Sequence, residues 1–222
     1  MQDKLTFSKE TLAFLKYFSD INSNFKIEQG NRIRTVTVVN HLYSEAKIEE
    51  TFPDNFCIYD LKQFLGVLGL FKKPSITYTE KVMNISDAEK EGTHMKYMAA
   101  AEEVLKLPQK ELKEPPYDYV FDFKQEDISQ MQSAGNLLKQ PHLIFDGTKD
   151  GIFVKVADLS GQSGNDFQLK LDSTPNDFEY VIRYDYFKLF PGDYRVHISD
   201  AGMIKFENLN YPIITCVAIE RE

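Results

Sequence analysis

One pattern occurs twice along this chain. A strand ends in Tyr-Asp and runs straight into a helix, first as FCIYDLKQFLGVLGLF (Phe56–Phe71) and again as VIRYDYFKLFPGDY (Val181–Tyr194). The surroundings repeat as well. In the first half, a short strand KLTF (Lys4–Phe7) precedes a helix KETLAFLKYFSDIN, for which Ser8 is a suitable N-cap. Strands NFKIEQ, RIRTVTVV and LYSEAKIEETF follow, then FCIYD, the helix LKQFLGVLGLF, and two further strands, SITYTEKVM and THMKYMAA. In the second half, YVFDF (Tyr119–Phe123) leads into the helix KQEDISQMQSAGNLL. Strands HLIFDGT, IFVKVADL and, after a Gly161/Gly164 loop, DFQLKLD follow; then come EYVIRYD, a short helix YFKLF stopped by Pro191-Gly192, and three closing strands. Phe7 and Phe123 open matching helices, and Tyr59-Asp60 matches Tyr184-Asp185.

A repeat of this period means one structural design used twice. The expectation is an α+β fold of two similar domains, each with two helices packed on antiparallel sheets. The boundaries are 1–103 and 119–222. The connector, 104–118, lies in a charged stretch that carries Pro108 and Pro115-Pro116 and shows no sustained period. At 222 residues, either one large domain or two half-size domains could bury a core.

Helical projection separates the faces. Phe14, Tyr17, Phe18 and Ile21 form the inner face of the first helix, with Leu15 at its edge and Lys9, Lys16 and Asp20 opposite. In the second helix, Leu61, Phe64, Leu65, Leu68 and Phe71 point inward; Lys62, Gln63, Gly66 and Gly69 point away. In the third, Ile128, Met131, Ala134 and Leu138 are the core side, while Ser129, Gln132, Ser133 and Asn136 face away, with Lys139 at the end. The short fourth helix carries Lys188. The formal net charge is −8, which by itself argues against a phosphate-rich partner. The acids, however, concentrate in loops and strands, and the outward helix faces are neutral to basic. Such faces are either merely solubilising or line a surface that meets phosphate, for which lysine is a suitable point charge.

No catalytic set is visible. His41, His94, His142 and His197 have no ligand spacing, and no phosphate-loop, dinucleotide or nucleophile-elbow signature occurs. Asp146–Gly151 reads as a hairpin turn rather than a cation loop, and Glu126-Asp127 as first-turn acids favoured by the helix dipole. No metal, cofactor or enzymatic activity is expected. Cys57 and Cys216 read as reduced core thiols. The absence of an apolar signal core in MQDKLTFSKE and of a membrane-length apolar run gives a cytoplasmic expectation, with no membrane partner.

FSKETLAFLKYFSDINSNF, FCIYDLKQFLGVLGLF and LFPGDYRV resemble the sliding clamps of T-even-type phages, the PCNA-like processivity factors of replicative DNA polymerases. The likeness runs from Leu5 to Glu220; YDL-x-x-FLG (Tyr59–Gly66) and Pro191–Tyr194 are its most specific parts, and 81–117 its weakest. It implies a non-enzymatic DNA-clamp fold that closes as a homotrimeric ring, with helices lining the hole and sheets forming the wall. Twelve helices spaced at about 8–10 Å would give a hole of about 35 Å, wide enough for hydrated duplex DNA. It also implies a replicative polymerase, an ATP-dependent clamp loader and a late transcription factor as partners, in the host cell cytoplasm. Lys9, Lys16, Lys62, Lys124, Lys139 and Lys188 would face DNA; Ser133 and Asn136 stand where the family helix carries arginines. His41, Leu42, Leu105, Leu107, Val217 and Ile219 would form a pocket for partner peptides. Phe64, Leu68, Met95, Tyr97, Phe167 and Leu169 would lie at the seam, where THMKYMAA would pair with DFQLKLD of the next chain. The rival readings are a clamp-fold interaction scaffold that never encircles DNA and an enzyme on a repeated α+β frame. The latter predicts a deep pocket of convergent titratable groups.

Overall fold

The structure, a computed structural model, describes residues 4–160 and 164–220. Gly161 of the expected Gly161/Gly164 loop lies outside the described residues. The chain divides into two compact units, Met1–Glu111 and Leu112–Glu222, with the division inside the stretch read as the connector.

The first unit opens with α1 (Lys9–Ile21), capped by the Ser8 side chain, which accepts from the Thr11 amide at 3.1 Å. Glu50 secures this corner, accepting from the Ser8 amide and the Thr11 hydroxyl. Then follow β1 (Phe25–Ile27), β2 (Gly30–Val36), β3 (Leu42–Phe52), β4 (Phe56–Ile58), α2 (Leu61–Leu68), β5 (Pro74–Tyr78), β6 (Val82–Asp87) and β7 (His94–Met98). Asp60 of the first Tyr-Asp corner caps α2, accepting from the Gln63 amide at 3.0 Å. β1 pairs with β4, β2 with β3, and β5-β6-β7 form a three-stranded antiparallel sheet.

Two expectations for this unit are corrected. KLTF is not a strand: only Leu5 bridges, to Ile76, because Ser8 already starts the helix. SITYTEKVM is not one strand but a hairpin, β5 and β6, turning at Thr79–Lys81, where the Thr79 hydroxyl accepts from the Lys81 and Val82 amides. The core is aromatic. Phe14, Phe18, Phe25, Phe52, Phe56 and Phe64 are fully buried, and Phe64 meets Tyr97 edge-to-face at 5.2 Å.

The second unit contains β8 (Tyr119–Phe123), α3 (Gln125–Leu138), β9 (His142–Thr148), β10 (Gly151–Ala157), β11 (Phe167–Asp172), β12 (Phe178–Arg183), β13 (Tyr194–Ser199), β14 (Met203–Asn208) and β15 (Ile213–Ala218). One sheet runs β11-β10-β9-β12; in the other, β13 pairs with β8 and β14, and β14 with β15. Gly151 turns the β9–β10 hairpin at φ +129, where any Cβ would lie 2.1 Å from the Asp172 carbonyl.

The fourth helix, YFKLF, does not form. A single 3-10 turn, Tyr184–Tyr186, stands in its place, and Lys188 lies beyond it. Pro191 disfavours helical backbone at Phe190, which leaves too few residues for an α-helical nucleus. Phe187 instead leaves the turn at φ −78, ψ 59 and stacks on Phe123 at 6.1 Å. The core here is Phe123, Phe145, Phe206 and Tyr194, whose hydroxyl donates to the Phe190 carbonyl at 2.6 Å.

Candidate nucleic-acid interface and partner surfaces

The amphipathic pattern fixes the outward faces. Phe14 and Phe18 anchor α1, Leu61, Phe64 and Leu68 anchor α2, and Ile128 and Met131 anchor α3. Lys9 and Lys16 are therefore exposed on α1 and Lys62 on α2, while Lys124 and Lys139 flank α3 in the open. Two of these charges are partly neutralised. Lys62 pairs with Asp20 at 2.7 Å, and Lys124 lies 3.7 Å from Asp193. Both pairs are solvated and hold little energy. Ser129, Ser133 and Asn136 make the outward face of α3 neutral. The Ser129 and Ser133 hydroxyls turn back onto the carbonyls of Gln125 and Ser129, both at 2.8 Å.

Between α1 and α2 runs an open groove of about 700 Å³, floored by Leu12, Leu65, Leu68 and Phe71 and rimmed by Lys16, Lys62 and Lys72. Gly66 opens it: a Cβ there would meet nothing within 4 Å. The groove is apolar and shallow, without the convergent titratable groups an enzyme would need. Among the described residues, no group of three or more His, Cys, Asp or Glu side chains could hold a metal ion.

The expected seam residues fall into two sets. Phe64 and Leu68 are buried in the first unit's own core and offer no surface to a neighbour. Met95, Tyr97, Phe167 and Leu169 are half-buried on β7 and β11, each the last strand of its sheet, with one edge unpaired within it. Large apolar side chains absent from the expected seam are also exposed: Leu70 (75%) just after α2, Met98 at the end of β7, and Leu137 (82%) on α3. Leu137 borders a second groove, of about 470 Å³, with Ala134, Leu138 and Phe167. Leu137 falls on the outward side of α3, opposite Ile128 and beside Ser133. Its signal was an apolar side chain with no inward place.

Of the residues expected to take partner peptides, His41 is exposed, Ile219 is half-buried, and Leu42, Leu105, Leu107 and Val217 are buried. Leu105 and Leu107 form a small cluster with Cys57, against which Ala100 packs. Burial pushes the Cys57 thiol pKa up, and nearby Glu102 adds to the effect. Cys216 is buried and, like Cys57, forms no disulfide.

A run of polar side chains lies beside this cluster. Asn22 donates to the carbonyls of Val36 and Lys106, both at 2.8 Å, and Asn24 accepts from the Lys106 amide at 3.0 Å. Lys26 binds both Glu102 oxygens at 2.7–2.8 Å. Arg32 grips both Glu111 oxygens at 2.7–2.8 Å, and Arg34 grips both Glu28 oxygens at 2.7 Å. Strand periodicity could have revealed the arginine pair, because Arg32 and Arg34 share a face two residues apart.

Comparison with known proteins resolves the reading. The model for DNA polymerase processivity factors matches residues 8–105. The sliding clamp of Escherichia phage RB69 is 32% identical over 211 residues, covering 90% of this chain and 91% of the relative. That of Enterobacteria phage T4 is 30% identical over 218 residues, covering 93% and 94%. The chain belongs to the sliding-clamp family. A Vibrio phage KVP40 sliding clamp is 29% identical over 91% of this chain and 94% of its own. Among solved structures, PCNA from Thermococcus kodakaraensis superposes with a TM-score of 0.71 at 12% identity, over 98% of this chain and 99% of that one. A. fulgidus PCNA, solved with the C-terminal region of FEN-1 bound, gives the same TM-score and identity over 99% and 98%. The fold is thus the PCNA-like clamp fold, and the chain is a non-enzymatic processivity factor of phage DNA replication. No helix among the described residues is long and apolar enough to cross a membrane.

Proposed function

We propose that three copies of this clamp close head to tail around duplex DNA in the host cytoplasm and tether the replicative polymerase to its template. The observation that carries this reading is the pair of unpaired strand edges. β7 ends the β5-β6-β7 sheet of the first unit and β11 ends the β11-β10-β9-β12 sheet of the second, and Leu137, exposed on α3, shares a groove with Phe167 of β11. Long bare edges are a liability that proteins usually cover. Pairing β7 of one chain with β11 of the next covers both, and such a heterologous contact makes a ring when its rotation closes. Met95, Tyr97, Phe167, Leu169, Leu70 and Leu137 are the seam residues in this proposal; Phe64 and Leu68 only support it from within.

Lys9, Lys16, Lys62, Lys124, Lys139 and Lys188 then meet phosphates loosely. Lysine contacts of this kind carry no sequence information, which suits sliding. His41, Leu42, Leu105 and Leu107 in the first unit, and Val217 and Ile219 in the second, take short apolar partner segments. The FEN-1 segment bound to A. fulgidus PCNA is a precedent in the same fold. The partners are the polymerase, an ATP-dependent loader that opens the ring and a late transcription factor that uses the loaded clamp.

The neutral face of α3 favours a second reading, an interaction scaffold of the same fold that does not encircle DNA. Light scattering across a dilution series tests the ring first. Three chains of 25.7 kDa give about 77 kDa, and a stable dimer would refute the closed trimer.

A further inference from the structure

We propose that Glu111, gripped by Arg32 and Arg34, is an ionic latch that holds residues 102–111 as a strap over Cys57 and so gates the partner-peptide site of the first unit. This rests on the assignment of Leu105 and Leu107 to that site.

The strap is fixed at three places. At its start, Lys26 binds both Glu102 oxygens. In its middle, Asn22 and Asn24 hold the Lys106 carbonyl and amide. At its end, Arg32 meets Glu111 with two parallel hydrogen bonds, and Arg34 adds weaker ones to Glu111 at 3.3 Å and to the Lys110 carbonyl at 3.4 Å. These anchors come from side chains of unit 1 rather than from a strand ladder. Asn22, Asn24 and Lys26 alternate along the approach to β1 and β1 itself; Arg32 and Arg34 alternate along β2.

The two arginines differ. Arg34 is nearly buried at 12% side-chain exposure and is already held by Glu28, so it is a fixed post. Glu111 is 64% exposed on its own side and held chiefly by charge. The Arg32 guanidinium keeps the Glu111 carboxylate below the ordinary range, so the grip persists well below neutral pH. It is still solvated and screened by salt.

Beneath the strap, Leu105 and Leu107 cover Cys57 and Ala100. An apolar peptide can reach that floor only if these leucines lift. Release of Glu111 frees the strap's end and leaves Lys106 as the pivot. The latch thus sets how often the floor is open, and partners bind in proportion to that open fraction.

Cys57 reports the state of the latch without any partner. The full chain is alkylated with iodoacetamide at fixed pH, and each cysteine is followed by peptide mass. Burial, with Glu102, Lys26 and Glu103, sets the Cys57 thiol, so a change at Glu111 reaches it only by uncovering it. Glu111→Gln should label Cys57 about fivefold faster, the loss expected from one charge-assisted bidentate pair at a half-exposed position. Cys216 labelling should stay unchanged. Raising the salt should speed the wild type toward the variant and leave the variant nearly constant. An unchanged Cys57 rate in Glu111→Gln and in Arg32→Gln overturns the latch, as does parallel acceleration of Cys216, which would mean global opening. Should the latch respond while labelled C-terminal peptides of the phage polymerase fail to bind either protein, the latch stands and the peptide-site assignment falls.

Discussion

Two helical glycines should respond to alanine with opposite signs. Gly66 lies within α2 on its outward face, where a Cβ would meet nothing within 4 Å. Glycine inside a helix costs about 1 kcal/mol relative to alanine, through backbone freedom lost on folding. Gly66→Ala should therefore stabilise the chain by about 1 kcal/mol. Gly135 lies in α3 under the ring of Tyr184, and an added Cβ would sit 2.1 Å from a ring carbon. The same propensity gain applies there, but the ring must swing away. That displaces a hydrogen bond from the Tyr184 hydroxyl to the Gln132 carbonyl at 2.7 Å, a loss of about 1 kcal/mol. Overpacking adds about 1–3 kcal/mol. The net effect is destabilisation by about 1–3 kcal/mol.

Differential scanning calorimetry at one protein concentration reads both variants, since assembly would otherwise move the midpoint. A unit of this size shifts by about 4–8 °C per kcal/mol. Gly66→Ala should melt higher and Gly135→Ala lower. If Gly66→Ala melted lower, the groove between α1 and α2 would not be open space. If Gly135→Ala melted higher, the Tyr184 ring would not rest on α3. Gly135→Ala combined with Tyr184→Ala separates the causes, because removing the ring removes the clash and the double variant should recover part of the loss.

Reversing Lys16, Lys62 and Lys188 to Glu should cut the length of DNA synthesised per polymerase binding event at least about tenfold while leaving the mass unchanged; a scaffold that never encircles DNA would be indifferent. Leu137→Glu should weaken the seam by roughly 1–3 kcal/mol per contact, read as a higher dissociation concentration in light scattering, and no change would place the seam elsewhere. Glu114 is held below the ordinary carboxylate range by the hydrogen bond from Lys205 at 2.8 Å, with a further one from Tyr117. A depressed carboxylate stabilises fully above its unfolded value, and that stability is lost as pH falls through its folded value. With Glu114 partly exposed, solvent screening limits this to about 1 kcal/mol or less. Urea midpoints at pH 7 and pH 3 should show a smaller acid loss for Glu114→Gln than for the wild type; equal losses would refute the assignment.

Much of the fold was legible because it rests on periodicities of two and 3.6. β3, β8 and β9 match their predicted spans residue for residue, and α1 and α3 match to within a residue. Failures came where a local side chain overrode the pattern. Thr79 turned one predicted strand into a hairpin, and Pro191 with Phe187 removed the fourth helix. The outward lysines were legible because a helix with one apolar stripe has only one other face. The partner surfaces were less so. The resemblance implied Phe64 and Leu68 at the seam although projection points both inward, and aromatic packing with Phe7 and Tyr97 holds Phe64 in the core. Helical projection points Leu68 inward, whereas Leu70 lies past the end of α2, where projection no longer applies.

The repeat itself gains meaning from its divergence. Tyr59 is exposed, and its neighbour Asp60 caps α2. Tyr184 turns inward onto α3 instead, and Asp185, exposed, lies near Arg183 at 3.8 Å without capping anything. The same dipeptide thus starts a helix in one unit and ends a strand against a helix in the other. What the two units share is the order of strand, helix and sheet, not the job of any one side chain. A ring built from repeated wedges requires only that shared order. Each unit can then spend its local differences separately, the proposed ionic latch in the first and a neutral α3 face in the second. Two unlike surfaces can thus sit on one repeated design.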